Sequence, residues 1–521
     1  MSSSPTLSSV PLPGFLPGLW QRAERGLDTA AGGTLQNPLR HLGALGFLCF
    51  WLLAVSGIVL YAVLDTSAGG AYRSIDELSR QPWYLGGWLR SLHRYAADAF
   101  VVFCVAHLVR EWLLGRYSGF RRFSWLTGVP LLPLVFVCAI GGFWLNWDRL
   151  GQFSAIATAE WLDALPLFAS PLTRNFIAVE AVSDRLFSLF VFVHLGVPLL
   201  LVFGLWFHVQ RITRAAVFPP RPLALGMTAA LVVLAIALPV ASTGPADLAR
   251  APQAVDLDWW ALFVHPLMYA TSPLAAWLFV GATLTLLFGL PFLPQRVAAP
   301  VAAVDPANCN GCRRCFDDCP YAAITMAPHP NARIGRQIAV VDADLCASCG
   351  ICVGACPSAT PFRSATELVT GIDMPQQPLD TLRAQLQRQL AALSHAQPIV
   401  VFGCDRGAAP SALADDGVAA IGLICIGQLP PSFIDYALRN GAAGVLVAGC
   451  RGCEFRLGTR WTEERLLAER EPRLRATVPR ERVALALADA GDEDALRTAL
   501  LALRGRIAAL PEARQENEVH G

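Results

Sequence analysis

Two kinds of residue in this chain are spaced as if to hold metal. Of nine histidines, four form two pairs, His93/His107 and His194/His208, each with thirteen residues between its members and each inside a long apolar stretch. In an α-helix, fourteen steps of 100° leave the second imidazole about 40° from the first and ~21 Å further along the axis. One helix can therefore present ligands to two stacked cofactors. Two such helices side by side give bis-histidine ligation of one haem near each membrane face, His93 with His194 on the far side and His107 with His208 nearer the cytoplasm. The plainer reading is that these histidines only hydrogen-bond to neighbouring helices. Identical spacing on two separate stretches argues against it, because a polar side chain in hydrocarbon is costly and needs a reason.

Twelve of the fifteen cysteines lie from Cys309 onward. In a large intracellular chain such crowding points to metal ligation rather than disulfides. Cys309-x2-Cys312-x2-Cys315-x3-Cys319-Pro320 is repeated as Cys346-x2-Cys349-x2-Cys352-x3-Cys356-Pro357. Both copies match the bacterial ferredoxin run, in which the fourth cysteine crosses to the other cluster. That resemblance assigns Cys309, Cys312, Cys315 and Cys356 to one [4Fe–4S] cluster, and Cys346, Cys349, Cys352 and Cys319 to a second. Tetrahedral zinc is the alternative for tight thiolate pairs, but three cysteines per loop with a remote fourth and a proline after it favour iron. The last four are Cys404, Cys425, Cys450 and Cys453; three of them follow short apolar runs and could converge at one end of a parallel sheet. Buried structural thiols are the competing reading there. Cys49, Cys104 and Cys138 read as small packing residues.

The elements that must position these residues follow from composition. The chain has 521 residues, 54% hydrophobic and 16% charged, too long for one domain and too apolar for an ordinary soluble one. A net charge of +1 excludes a global field that would favour nucleic acid. Six stretches, about 42–63, 92–114, 126–145, 186–209, 223–242 and 273–293, approach the roughly 20 apolar residues that span a bilayer. Arg110, Arg116, Arg121 and Arg122 follow the second, and Arg211, Arg214 and Arg221 the fourth, which places those loops in the cytoplasm. With an even number of spans, both termini and all the later cysteines face the cytoplasm too. Residues 1–36 lack a basic segment followed by a continuous apolar core, so no cleaved signal peptide is expected.

The expected organisation is multidomain. A cytoplasmic segment (1–36) precedes an all-α membrane bundle (37–293), then a Pro-rich linker (294–305), a ferredoxin-like α+β domain (306–365), and a linker helix (366–396) whose stripe is Leu379, Leu382, Leu386 and Leu390. The remainder (397–521) reads as a small parallel α/β domain with strands at Ile399–Phe402, Ala419–Ile424, Gly444–Ala448 and Val483–Leu487.

Residues 37–293 resemble the cytochrome b family of quinol-oxidising bc and chloroplast-type bf complexes. The resemblance rests on Ser91-Leu92-His93-Arg94, His107-Leu108-Val109-Arg110, Trp125-Leu126-Thr127-Gly128, Asn146-Trp147-Asp148 and Pro198. It implies two b haems, arginine partners for haem propionates at Arg90 and Arg110, close porphyrin approach at Gly57, and quinone as substrate; a homodimer through this domain stays open. Leu257-Asp258-Trp259-Trp260 stands where the family has Pro-Glu-Trp-Tyr, and the last family helices are missing. No covalent haem is implied, because His41 occupies the place of the attaching cysteine.

Residues 398–465 resemble the delta subunit of methyl-viologen-reducing hydrogenases, through Cys425-Ile426-Gly427 and the run from Gly441 to Cys450. That resemblance implies a [2Fe–2S] cluster on Cys404, Cys425, Cys450 and Cys453. It also implies a cytoplasmic flavin/iron–sulfur partner of the heterodisulfide-reductase type, although Arg451-Gly452-Cys453-Glu454 replaces the family's histidine-bearing segment.

Quinone chemistry moves two electrons and two protons, so it needs a titratable group at the membrane edge. Asp258 beside Trp259 and Trp260 is the far-side candidate, against the reading of an interfacial tryptophan anchor. His41 and Arg211 form the cytoplasmic candidate, and His41 titrates near neutral pH. The expected function is membrane-bound electron transfer between a cytoplasmic partner and quinone. A redox-wired anchor without its own quinone site, and electron transfer driven by the proton-motive force, are the alternatives. No nucleotide-binding or flavin motif is evident, so chemistry on a soluble substrate falls to another subunit.

Overall fold

The computed structural model describes residues 15–33, 35–81, 85–176, 182–212, 215–250, 255–293, 300–363, 367–415 and 417–510. The chain divides into two compact units, Met1–Gln210 with Ala215–Leu293, and Arg211–Arg214 with Pro294–Gly521.

The first unit is helical: α1 (Phe15–Ala30), α2 (Leu42–Val63), α3 (Ala71–Arg80), α4 (Leu85–Leu113), α5 (Arg122–Gly128), α6 (Leu131–Asn146), α7 (Arg149–Asp163), α8 (Asp184–Val209), α9 (Arg221–Ala237), α10 (Trp259–Leu262), α11 (Val264–Ala270) and α12 (Pro273–Gly289). Among the described residues, four helical stretches are long and apolar enough to cross a membrane: Leu42–Val63, Gly119–Asn146, Asp184–Val209 and Pro273–Phe292. Of the other two expected spans, the one at 92–114 lies within α4, whose 29 residues carry Arg90, Arg94 and Asp98 toward one end and Arg110 and Glu111 toward the other. The one at 223–242 is represented by the shorter α9 of 17 residues, about 25 Å at 1.5 Å per residue.

A core of Cys49, Phe50, Leu92, Ala96, Phe100, Val135, Leu201 and Leu231 ties α2, α4, α6, α8 and α9 together. Outward-facing Ile58, Phe192, Leu199 and Leu225 are each 72% exposed, as expected of side chains that face lipid. The Asn146-Trp147-Asp148 motif is the turn between α6 and α7. Trp147 takes a left-handed conformation (φ 43°) that ends α6, and Asp148 caps α7 by accepting from the Gly151 amide. Helix α1 was not expected. Its Leu16 and Leu19 are about half exposed, while Asn37 donates to Asp28 and to the Glu24 carbonyl at 2.7 and 2.8 Å.

In the second unit, residues 294–299 of the expected linker lie outside the described residues, and β1 (Ala303–Val304) pairs antiparallel with β4 (Ile372–Asp373). Strands β2 (Ile324–Pro328) and β3 (Gln337–Val341) form a second antiparallel pair, with the short helices α13 (Arg314–Asp318) and α14 (Ile351–Gly354) between. Strands β5 (Ile399–Cys404), β6 (Val418–Leu423), β7 (Gly444–Gly449) and β8 (Val483–Leu487) make a parallel sheet in the order β6-β5-β7-β8. Helices α16 (Ser432–Arg439), α17 (Gly458–Leu466) and α18 (Glu493–Ala508) complete this layer.

Helix α15 (Leu379–Ala392) is the segment expected to link domains, yet its Leu379, Leu382 and Leu386 are buried in one core with Val400, Phe402 and Ile421. It covers a face of the sheet. The apolar and glycine residues of β5 and β7 are buried throughout both strands, which parallel strands covered on both faces require.

Candidate functional site

The two histidine pairs meet across the bundle. The His93 and His194 ring centres lie 6.3 Å apart, and those of His107 and His208 lie 6.4 Å apart. A metal–imidazole bond of ~2.0–2.1 Å plus about 1.1 Å from nitrogen to ring centre, taken twice, gives the same separation. Each gap is the width that one axially ligated metal ion occupies.

The tautomers suit ligation. His194 Nδ1 donates to the Cys138 carbonyl at 3.0 Å. Ser56 Oγ donates to the Leu52 carbonyl at 2.6 Å and so accepts from His93 Nδ1 at 2.9 Å. Thr127 Oγ1, which donates to the Phe123 carbonyl, stands 3.4 Å from His208 Nδ1. Holding the proton on Nδ1 leaves the lone pair on Nε2, the arrangement that orients a metal-binding imidazole.

Each histidine also faces a glycine. A methyl group added at Gly128 would stand 2.8 Å from His208, at Gly142 3.0 Å from His194, at Gly57 3.1 Å from His93 and at Gly43 3.2 Å from His107. Only Gly57 was singled out from the sequence. Gly43 and Gly57, like Gly128 and Gly142, are fourteen residues apart, so the histidine spacing repeated on the facing helices was the signal that could have found the other three.

Arg90 donates to Ser79 Oγ at 2.5 Å and to Asn146 Oδ1 at 3.1 Å. Arg110 is buried and paired with Glu24 at 2.7 Å and Glu111 at 2.8 Å. A propionate at Arg110 would have to share a cation that already faces two carboxylates.

Of the residues expected at a quinone site, Asp258 stands at the His93/His194 end. It pairs with Arg94, whose other branch reaches Asp98, and it accepts from the Trp260 and Ala261 amides at the start of α10. Its carboxylate is 4% exposed, so it is an ion-paired helix cap; Trp259 and Trp260 beside it are exposed. His41 caps α2 two residues before Gly43, which brings it to the His107/His208 end. Arg211 follows α8 in an exposed turn three residues past His208.

In the second unit the cysteines fall into three groups. A cavity is lined by Cys309, Cys312, Cys315 and Cys356 together with Met326, Ala339 and Ile372. Cys319 stands within electrostatic reach of Cys346, Cys349 and Cys352, so the fourth cysteine of each run sits with the other run. The two loops share a backbone pattern. Gly311 and Arg313 flank Cys312 with φ of 70° and 66°, and Ser348 and Gly350 flank Cys349 with φ of 56° and 73°. Left-handed residues on both sides of the middle cysteine curl three thiols inward; at Gly311 a methyl group would meet the Gln337 carbonyl at 2.1 Å, so only glycine fits. Burial pushes the Cys315 thiol up to about 12, and a bound cation is what would sustain its thiolate there.

Cys404 ends β5, Cys450 follows β7, and Cys425 lies just past β6. Parallel strands bring all three to the same carboxyl edge, where Cys453 joins them. The four thiols perturb one another there, Cys404 and Cys453 being drawn down and Cys425 and Cys450 pushed up. Four sulfurs gathered at one sheet edge are the donor set that a soft metal would take.

Comparison with known proteins agrees with this division. Residues 34–216 match the family model for cytochrome b/b6/petB, residues 308–360 that for a 4Fe–4S dicluster domain, and residues 399–510 that for the delta subunit of methyl-viologen-reducing hydrogenase. A solved chain described as "Hyperthermophilic respiratory Complex III" aligns at 21% identity over 54% of this chain and 83% of its own length, with a TM-score of 0.40. The cytochrome b match implies haem b and the dicluster match iron–sulfur clusters. The chain therefore joins a cytochrome b/b6 segment, a 4Fe–4S dicluster segment and a hydrogenase delta-subunit segment, and it is an electron-transfer subunit of the membrane.

Proposed function

We propose that this subunit passes electrons between quinone in the membrane and a soluble flavin/iron–sulfur partner in the cytoplasm. The route uses two b haems, two [4Fe–4S] clusters and one [2Fe–2S] cluster. The observation that carries the reading is the pair of imidazole gaps, 6.3 and 6.4 Å wide, each faced by two glycines. When bound, these groups supply one-electron redox steps at potentials that the surrounding hydrogen bonds and burial tune.

The chain's own residues do the rest. His93 with His194, and His107 with His208, would each hold one haem, and the glycines on α2, α5 and α6 would leave room for it. Cys309, Cys312, Cys315 and Cys356 hold one four-iron site, and Cys319, Cys346, Cys349 and Cys352 the other. Cys404, Cys425, Cys450 and Cys453 hold the two-iron site.

The clamp of Arg94 on Asp258 favours the cytoplasmic edge for quinone, because a capped, paired carboxylate is poorly placed to accept a proton. His41 is the proton carrier of this reading, and Arg211, which follows α8 in the chain, its candidate cation. The positive loops set the orientation, with the iron–sulfur domains on the cytoplasmic side. A short-chain quinol added to the purified subunit tests the linkage: the b-haem α-band should appear, and a quinone should erase it. No haem response to either would contradict quinone linkage and leave the reading of a redox-wired anchor.

A further inference from the structure

The three cysteine sites of the second unit are not equivalent neighbours. Ile351 lies between Cys349 and Cys352. A methyl group added at Gly458 would touch Cys425 Sγ, Cys453 Sγ and Ile351 Cδ1 at 2.2, 3.4 and 3.6 Å, so one point in space is shared by two thiols of the sheet-edge site and the loop of the Cys346 run. At Gly354 the same probe meets the Gly427 carbonyl at 2.1 Å and the Arg465 guanidinium at 2.7 Å. The backbones of the two sites therefore touch wherever glycine permits it. The Cys309 site is instead walled by Met326, Ala339, Gly371 and Ile372, and its Cys312 is exposed.

One side chain spans the contact. Arg465 is 1% exposed; it donates to Asp318 Oδ2 at 2.5 Å and to the Gly427 carbonyl at 3.0 Å. Asp318 immediately precedes Cys319, and Gly427 lies two residues after Cys425. Arg470, stacked 4.4 Å over Trp461, holds the other Asp318 oxygen at 2.6 Å. A fully buried guanidinium is costly unless its geometry is well satisfied, and removing one partner strands a charge. Either backbone could be supported by an apolar side chain, so an ion pair here fixes one relative position of the two loops.

Resting on the iron–sulfur reading above, we propose that the three sites form a linear relay. The Cys319/Cys346/Cys349/Cys352 site is in the middle, the Cys404 site at one end, and the Cys309 site, with its exposed Cys312, at the other. Arg465 is the positioning residue that sets the middle-to-end contact. Each transfer moves one electron: the site that loses it is oxidised, its neighbour is reduced, no bond forms or breaks, and Arg465 keeps its proton.

Paramagnetic resonance on the full reduced subunit tests the order. The two-iron signal should relax fast because of its reduced neighbour. Cys346→Ser with Cys349→Ser should slow that relaxation, whereas Cys309→Ser with Cys312→Ser should leave it unchanged; the reverse pattern overturns the order. Absence of any two-iron signal in the wild-type chain would instead defeat the underlying cluster assignment. Arg465→Met should keep the iron and haem content, slow the relaxation, and retard reduction of the middle site by about tenfold or more, as for partners that orient ligands. Arg465→Lys, which keeps the charge on Asp318 but cannot span to Gly427, should fall between. Unchanged relaxation and rate in an iron-replete Arg465→Met chain, or in Arg465→Lys where the methionine variant does not fold, overturns the positioning role. Where either cysteine pair empties both four-iron sites, the Arg465 variants decide alone.

Discussion

The membrane bundle and the cysteine-bearing unit solve the same problem, holding metal at fixed spacing, by opposite means. In the bundle the candidate ligands sit within helices, His208 in the last turn of α8, so a fourteen-residue interval repeated among the histidines and among the glycines that face them would set both sites at once. In the second unit the ligands sit on loops, where left-handed residues and close backbone contacts do the placing. A helix writes its geometry into sequence as a period; a loop writes it as individual residues whose reasons appear only in three dimensions.

The largest expected effect follows from separating the two regions. A fragment beginning near Val301 should be soluble, free of haem, and carry about ten iron atoms, from two four-iron clusters and one two-iron cluster. Iron and sulfide analysis giving eight irons and no two-iron signal would reject the assignment of Cys404, Cys425, Cys450 and Cys453.

Within the bundle, valine at the four glycines should grade with crowding. Gly128→Val, at 2.8 Å from His208, should empty the His107/His208 site, and Gly43→Val, at 3.2 Å from His107, should disturb it least. Haem content per chain reads this directly, and equal loss at all four positions would mean that the glycines serve helix packing instead.

The quinone comparison is finer. His41→Ala should slow quinone turnover more than Asp258→Asn while both variants keep their haems, because Asp258 is committed to Arg94 and to capping α10. The opposite ranking would move the reaction to the far side and favour coupling to the proton-motive force.

The smallest effect concerns α1. Burial alone would raise the Asp28 carboxyl, but Arg40 and Asn37 outweigh it and hold it below its ordinary 3.8. A lowered carboxylate stabilises the fold above the unfolded value and loses that contribution as pH falls through the still lower folded one. Protease sensitivity of residues 15–30 should therefore stay flat at neutral pH and rise only in strong acid. Asp28→Asn should cost about 1 kcal/mol or less, the range of a partly exposed pair.

Much of this was legible in advance. The four strands of the parallel sheet and the apolar helices follow from apolar runs. The cysteine groupings follow from a resemblance, and the structure brings the same thiols together. Helix α1 was missed because its first turns are interrupted by Pro17 and Gly18, which read as loop. The expected stretch at 92–114 missed only the start of α4, where Arg90 finds its partner Asn146 in the folded bundle. Helix α15 looked like a connector because nothing local shows that its leucines face Phe402 and Ile421. The Asp318–Arg465 pair, 147 residues apart in sequence, had no signal at all.

Paired ligation of stacked haems is the claim on which the rest depends, and reduced-minus-oxidised spectra of His107→Ala and His208→Ala measure it most directly. Both variants should lose the same single b haem and keep the one held by His93 and His194. Retention of both haems in either variant, or loss of a different haem in each, would contradict the account.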